Sequence, residues 1–265
     1  LSADWINDLD HNHQLYQLFL DWSETCVCQH ADAPMNHQLA LAIQPNLEAT
    51  FADFCWGENT LLQQEITSAL SGIGERFIYI WGPAGSGKSH LLHACCQQFL
   101  SLDKSSLYLP LDTLKTWDPT VIHDLDAHQL LCIDELDAIT GHTAWEEALF
   151  HLYNRVRDAG TNTMLIASSL PPKHTPIALP DLRSRLTSCL VMQVHELKDA
   201  DKIKTLRAQA HKRGFELPES VAQFLVNRSA RNMHDLHTLL DRLDRASLVA
   251  QRKITIPFVK TTLNW

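Results

Sequence analysis

Eight consecutive residues, Gly82-Pro83-Ala84-Gly85-Ser86-Gly87-Lys88-Ser89, carry the strongest chemical signal in the chain. Glycines at this spacing let successive backbone N–H groups turn inward around a phosphate, and a helix that starts directly after them adds the positive end of its dipole. Lys88 would supply a point charge to the β- and γ-phosphates, and the Ser89 hydroxyl would ligate Mg²⁺. The context suits that chemistry, because the apolar run Phe77-Ile78-Tyr79-Ile80-Trp81 precedes the loop and an apolar-periodic segment follows it. The segment is therefore expected to be a phosphate-binding loop (P-loop) that holds a nucleotide.

The second signal is Leu130-Leu131-Cys132-Ile133-Asp134-Glu135, an apolar strand that delivers two adjacent carboxylates. Ligands of open α/β sheets bind at the C-terminal ends of the strands. Asp134 in that place would hold Mg²⁺ through water. Standing alone, the pair also suits a solvated strand end.

Positioning these residues takes a particular scaffold. Short apolar runs at 77–81, 107–109, 130–133, 164–167 and 190–194 alternate with helix-like stretches such as 144–157, which predicts a doubly wound α/β domain whose parallel sheet is covered on both faces. After about Glu196 the strand pattern stops, and three helical candidates follow near 198–213, 218–228 and 232–251. Gly214 can end the first, and Pro218 can open the second. The expected plan is an acidic extension or mis-set start over 1–34, a binding peptide and linker over 35–50, the α/β domain over 51–196 and a small helical lid over 197–265.

Net charge is −9, unevenly placed: residues 1–34 hold six acids and no Lys or Arg, leaving 25 acids against 22 bases in the remainder. A near-neutral body offers no broad basic footprint for a phosphate backbone, so DNA is expected to be reached only through a partner. Seven cysteines, several inside apolar runs, read as buried free thiols of a reducing cytosol. Neither Cys26-x-Cys28 nor the fifteen histidines have the paired spacings of a zinc site. No apolar stretch reaches bilayer length, and no secretory signal pattern opens the chain, so a cytoplasmic protein without membrane contact is expected.

From residue 36 onward the chain resembles the AAA+ ATPases, within them the DnaA group, and within that group the Hda family of regulators. Phe51-Ala52-Asp53-Phe54 and Gly57-Glu58-Asn59 look like the group's adenine-proximal box, and 164–172 resembles its sensor 1 strand and loop, with the sensor at Ser169 or its neighbour Ser168. Leu182-Arg183-Ser184-Arg185-Leu186 resembles the box carrying the arginine finger, which maps to Arg185. The segment from Leu243 to Ser247 and 251–260 is similar to the Hda family, and the chain stops at Trp265, where DnaA would continue into a DNA-binding domain. Gln38-Leu39-Ala40-Leu41-Ala42-Ile43 resembles a sliding-clamp-binding peptide, with Gln38 hydrogen-bonding and Leu41 and Ile43 filling a pocket; its alternation equally suits an edge strand.

The resemblance implies bound ADP or ATP with Mg²⁺, Glu135 orienting or deprotonating the attacking water, and Arg185 acting on ATP held by a neighbouring DnaA. The partners it implies are DnaA and the sliding clamp, the β subunit of DNA polymerase III. One position departs from the pattern, since His234 stands where the group places its sensor 2 arginine, and an imidazole lacks the bidentate fork of a guanidinium. Weak intrinsic hydrolysis and an ADP-bound working form are compatible with that change. Two other roles stay open on sequence grounds: a nucleotide-gated loader or adaptor, and a self-sufficient ATPase that assembles into homo-oligomers.

Overall fold

The computed structural model describes residues 49–229, 232–250 and 252–265, all of them within one compact unit, Ala42–Trp265. The elements run α1 (Thr60–Leu70), β1 (Phe77–Trp81), α2 (Lys88–Leu100), β2 (Ser106–Pro110), α3 (Leu111–Leu114), β3 (Leu130–Asp134), α4 (Thr143–Ala159), β4 (Thr163–Ser168), α5 (Pro180–Thr187) and β5 (Leu190–Gln193). Four helices then form the lid: α6 (Asp199–Lys212), α7 (Glu219–Arg228), α8 (Met233–Ala250) and α9 (Ile256–Leu263). No helix among the described residues is long and apolar enough to cross a membrane.

The five strands are all parallel in the order β2-β3-β4-β1-β5. Successive side chains point to opposite faces, and both faces are apolar. Tyr79, Leu131, Ile133, Met164 and Ile166 pack with α4 and α5 on one side. Ile78, Ile80, Leu130, Cys132, Leu165 and Ala167 pack with α1 and α2 on the other. This double covering is why β1, β3 and β4 read as continuous apolar runs and not as alternation. The expected doubly wound α/β domain with a helical lid is what the chain forms.

The lid holds one more helix than periodicity suggested. Thr255 caps α9 by accepting from the Phe258 N–H, Pro257 sits in its first turn, and Val259 and Leu263 are buried in the lid core beside Leu225 and Leu240. In Ile254-Thr255-Ile256-Pro257-Phe258-Val259 the β-branched residues mask this helix, and packing decides it. Gly214, in the left-handed region, follows α6 as expected. The described cysteines are free: Cys95, Cys96, Cys132 and Cys189 are buried and Cys55 is partly so. Cys26 and Cys28 lie outside the described residues.

Candidate functional site

Parallel strands bring their C-terminal ends to one edge, where β1, β4 and β3 deliver the loops that matter. Trp81 pairs with Ser168, so the P-loop leaves the sheet beside the sensor 1 strand, and β4 separates β1 from β3. Gly82 lies where a Cβ would stand 2.6 Å from the Val194 carbonyl oxygen, so only glycine fits. Gly85 and Gly87 have φ of 76° and 97°, and Gly87 is the N-cap of α2. The Lys88 ammonium donates to the carbonyls of Gly82 (2.7 Å) and Pro83 (2.9 Å). Burial draws it below its usual range, against the opposing pull of Asp134, Asp137 and Glu135. The Ser86 hydroxyl is buried with no partner among the described residues. A cradle in which side chains would clash, holding a cation and an orphaned hydroxyl, fits a phosphate chain.

Asp134 ends β3 almost fully buried. Its carboxylate accepts from the Tyr108 hydroxyl (2.8 Å) and the Glu135 N–H (2.8 Å), which fixes its plane. Burial and then the Asp134 charge push the Tyr108 phenol up, so it stays a donor. Glu135 turns out of the strand with φ 56° and is exposed. Partial burial, then the charges of Asp134 and Asp112, hold its carboxyl above the usual range. Ser89, on the first turn of α2, and Asp134 are the residues that could hold Mg²⁺.

Ser168 and Ser169, the two candidates for sensor 1, are held by a residue that sequence reading did not single out. Asp137 accepts from the Ser168 hydroxyl (2.8 Å) and the Ser169 N–H (2.6 Å), tying the segment after β3 to the end of β4. Ser168 is buried and committed to that bond, whereas the Ser169 side chain is exposed. Behind them the Tyr79 hydroxyl, fully buried in β1, donates to the Leu170 carbonyl (2.9 Å) and meets Thr175 (3.0 Å), which anchors the following loop.

The lid closes on the P-loop through α8. Asn232 caps this helix by accepting from the Asp235 N–H (2.8 Å), and its Cβ would lie 2.8 Å from a Cβ placed on Gly85. His234, one residue into α8, is exposed and lines the same cleft as Gly85, Gly87, Lys88 and Ser89. Phe51 and Phe54 pack on Trp56, and Phe54 faces Gly87. The Asn59 amide exchanges two bonds with the His195 backbone (2.9 and 2.7 Å). Lys212 of α6 pairs with Asp53, so the segment before α1 is linked to the lid.

Arg185 lies elsewhere, half-buried on α5, and among the described residues no acid pairs with it. Its charge acts on the Tyr153 phenol of α4.

Residues 46–194 match the family model of the bacterial DnaA ATPase domain, and residues 199–263 match that of the Hda lid domain. The chain belongs to the Hda family of DnaA-related AAA+ proteins. An uncharacterized protein from Haemophilus influenzae is 41% identical over 230 residues, 87% of this chain and all of that one. Among solved structures the Hda-family chain is similar to domain III of Thermotoga maritima DnaA, with a TM-score of 0.72 and 21% identity over 84% of this chain and 97% of that one. AMPPCP-bound DnaA from Aquifex aeolicus (TM-score 0.66, 20% identity, 77% and 67% covered) and Thermotoga maritima RuvB (TM-score 0.64, 17%, 82% and 71%) share the fold.

In this Hda-family chain the segment leading into α5 hangs on one buried acid. Glu146 of α4, fully buried, accepts from the N–H groups of Gly141 (2.7 Å), Ala178 (3.0 Å) and Leu179 (2.7 Å), and so holds the entry to α5. Glu146→Ala would remove the shared acceptor of these three N–H groups. It is expected to lower the unfolding free energy in urea by about 3 kcal/mol, with Glu146→Gln falling between it and wild type. Equal stability of Glu146→Ala and wild type would show that the anchor carries no weight. Sequence offered no signal for it, since an acid in the first turn of a helix usually faces solvent. Gln38, Leu41 and Ile43 lie outside the described residues.

Proposed function

We propose that this chain is a regulatory inactivator of the replication initiator DnaA. It binds ADP or ATP with Mg²⁺, docks on the DNA-loaded sliding clamp and presents Arg185 to ATP held by DnaA, so that this ATP is hydrolysed and re-initiation is blocked. The observation that carries the reading is an Hda-type lid continuing a DnaA-type ATPase domain in one chain. Support comes from Arg185, which has no acid partner among the described residues and sits on a helix anchored by Glu146 and buried through Leu182 and Leu186.

A bound nucleotide would supply phosphate charge, and its Mg²⁺ would partly neutralise that charge and polarise the phosphate oxygens. The chain's own residues do the rest: Lys88 balances phosphate charge, Ser89 and Asp134 hold the metal, Asp137 fixes the backbone of Ser169, and Glu135 stands at the strand end as a base. His234 in the lid offers one ring nitrogen where an arginine would offer a fork, which favours holding a nucleotide over turning it over. The intact Asp134–Glu135 pair favours a second reading, a self-sufficient ATPase. The deciding assay is hydrolysis of DnaA-bound ATP with and without this protein and the DNA-loaded clamp. Stimulation only when both are present supports the inactivator, and turnover of free ATP at the same rate without DnaA supports the rival.

Clamp docking has its own test. Replacing Gln38, Leu41 and Ile43 by alanine is expected to abolish retention on immobilised clamp while ADP affinity stays within about twofold, because an extended peptide anchor draws most of its affinity from a few side chains. Undiminished capture of the triple variant would rule out the peptide.

A further inference from the structure

Three residues that line one pocket between the P-loop and the lid each hold a buried polar atom without a partner among the described residues: Ser86 Oγ, His90 Nε2 and Gln209 Oε1. Buried polar groups are normally paired, and leaving one unpaired costs on the order of 1–3 kcal/mol. Three such residues in the lining of one pocket, beside Phe54 and Met233, suit a flat, partly apolar ligand with a polar edge.

From this pocket we infer that Gln209, oriented by His237, reads the nucleobase, its amide oxygen accepting from the exocyclic amine of adenine. The inference rests on the reading of Gly82–Ser89 as a nucleotide-binding loop and extends it from phosphate to base. The orientation follows from one contact. Gln209 Nε2 lies 3.2 Å from His237 Nε2, and an amide nitrogen can only donate, so the ring nitrogen accepts and the amide oxygen is turned the other way. Burial, and then the neighbouring charges of His90 and Arg213, hold the His237 imidazole down to about 4, so at neutral pH the ring is an acceptor with its proton on Nδ1. His90 Nε2, in the first turn of α2 directly after the P-loop, supplies a second polar contact for the base edge, and Phe54 and Met233 supply apolar surface for its faces. Gln209 and His237 come from α6 and α8 of the lid, and Ser86 and His90 from the α/β domain, so base reading spans both.

The test compares ADP with inosine diphosphate, which carries a keto oxygen in place of the amine. Calorimetry on the full chain is expected to show ADP bound about 5- to 100-fold more tightly, as one buried acceptor satisfied or left facing another acceptor requires. Gln209→Leu should bring the two within about twofold of each other, and His237→Phe, which frees the amide to rotate, should narrow the gap while keeping ADP binding. Tripolyphosphate affinity unchanged from wild type reports an intact P-loop in each variant. Equal affinity of wild type for both diphosphates, or preference for the inosine form, overturns base reading by Gln209 and leaves the phosphate site standing. Absence of binding to both diphosphates and to tripolyphosphate overturns the nucleotide reading itself, and this inference with it.

Discussion

Arg185→Ala is expected to fold, bind ADP and bind the clamp, and to lose the stimulation of hydrolysis on DnaA by roughly three to five powers of ten. A finger supplied to a neighbour acts on charge that develops in the transition state, so its removal should barely move ground-state affinities. Two structural features favour a clean outcome. The guanidinium has no acid partner among the described residues, so alanine strands no buried charge, and α5 is fixed by Leu182, Leu186 and the Glu146 anchor, none of which the substitution touches. Thermal unfolding should therefore shift little. The measurement is single-turnover hydrolysis of DnaA-bound ATP with wild type or variant, at saturating ADP and DNA-loaded clamp. A variant as fast as wild type would make Arg185 an ordinary surface residue, and the adaptor role would become the better account.

How much of this was open to sequence reading depends on how local the physics is. The geometry of the loop at 82–89 was legible because eight contiguous residues contain all of it: glycines with positive φ, a cation and the start of a helix. Strands β1, β3 and β4 were legible because burial on both faces writes an unbroken apolar run. β5 was expected to reach Val194 and ends at Gln193, an edge strand whose side chains alternate in exposure. What stayed hidden depends on residues brought together from afar. Asp137 meets Ser168 and Ser169 only because β4 inserts between β1 and β3, Glu146 meets Leu179 only after α4 packs on α5, and Gln209 reaches the pocket only once the lid has folded. Asp137 left a faint trace, since it follows Asp134-Glu135 at a spacing that one tight turn folds back onto the site. The others left none, because a Glu and a Gln on amphipathic helices look like solvated surface until the partner surface is known.

Lys88→Ala is the other large effect, an expected loss of nucleotide affinity of at least about a hundredfold, beyond detection at micromolar ADP. The phosphates of a bound nucleotide carry several negative charges into a site already bordered by Asp134, Asp137 and Glu135, all of which act on Lys88. With the ammonium gone, the backbone N–H groups and the dipole of α2 face that charge alone, and three carboxylates repel it. The fold should survive. Of the two carbonyls that now accept from Lys88, that of Pro83 belongs to an exposed residue, where water can replace the lost donor. Calorimetry with ADP on the variant, alongside urea unfolding to verify the fold, makes the comparison. A stable variant that still binds ADP in the micromolar range would mean that the loop does not hold phosphate through Lys88, and the P-loop assignment would fall with it.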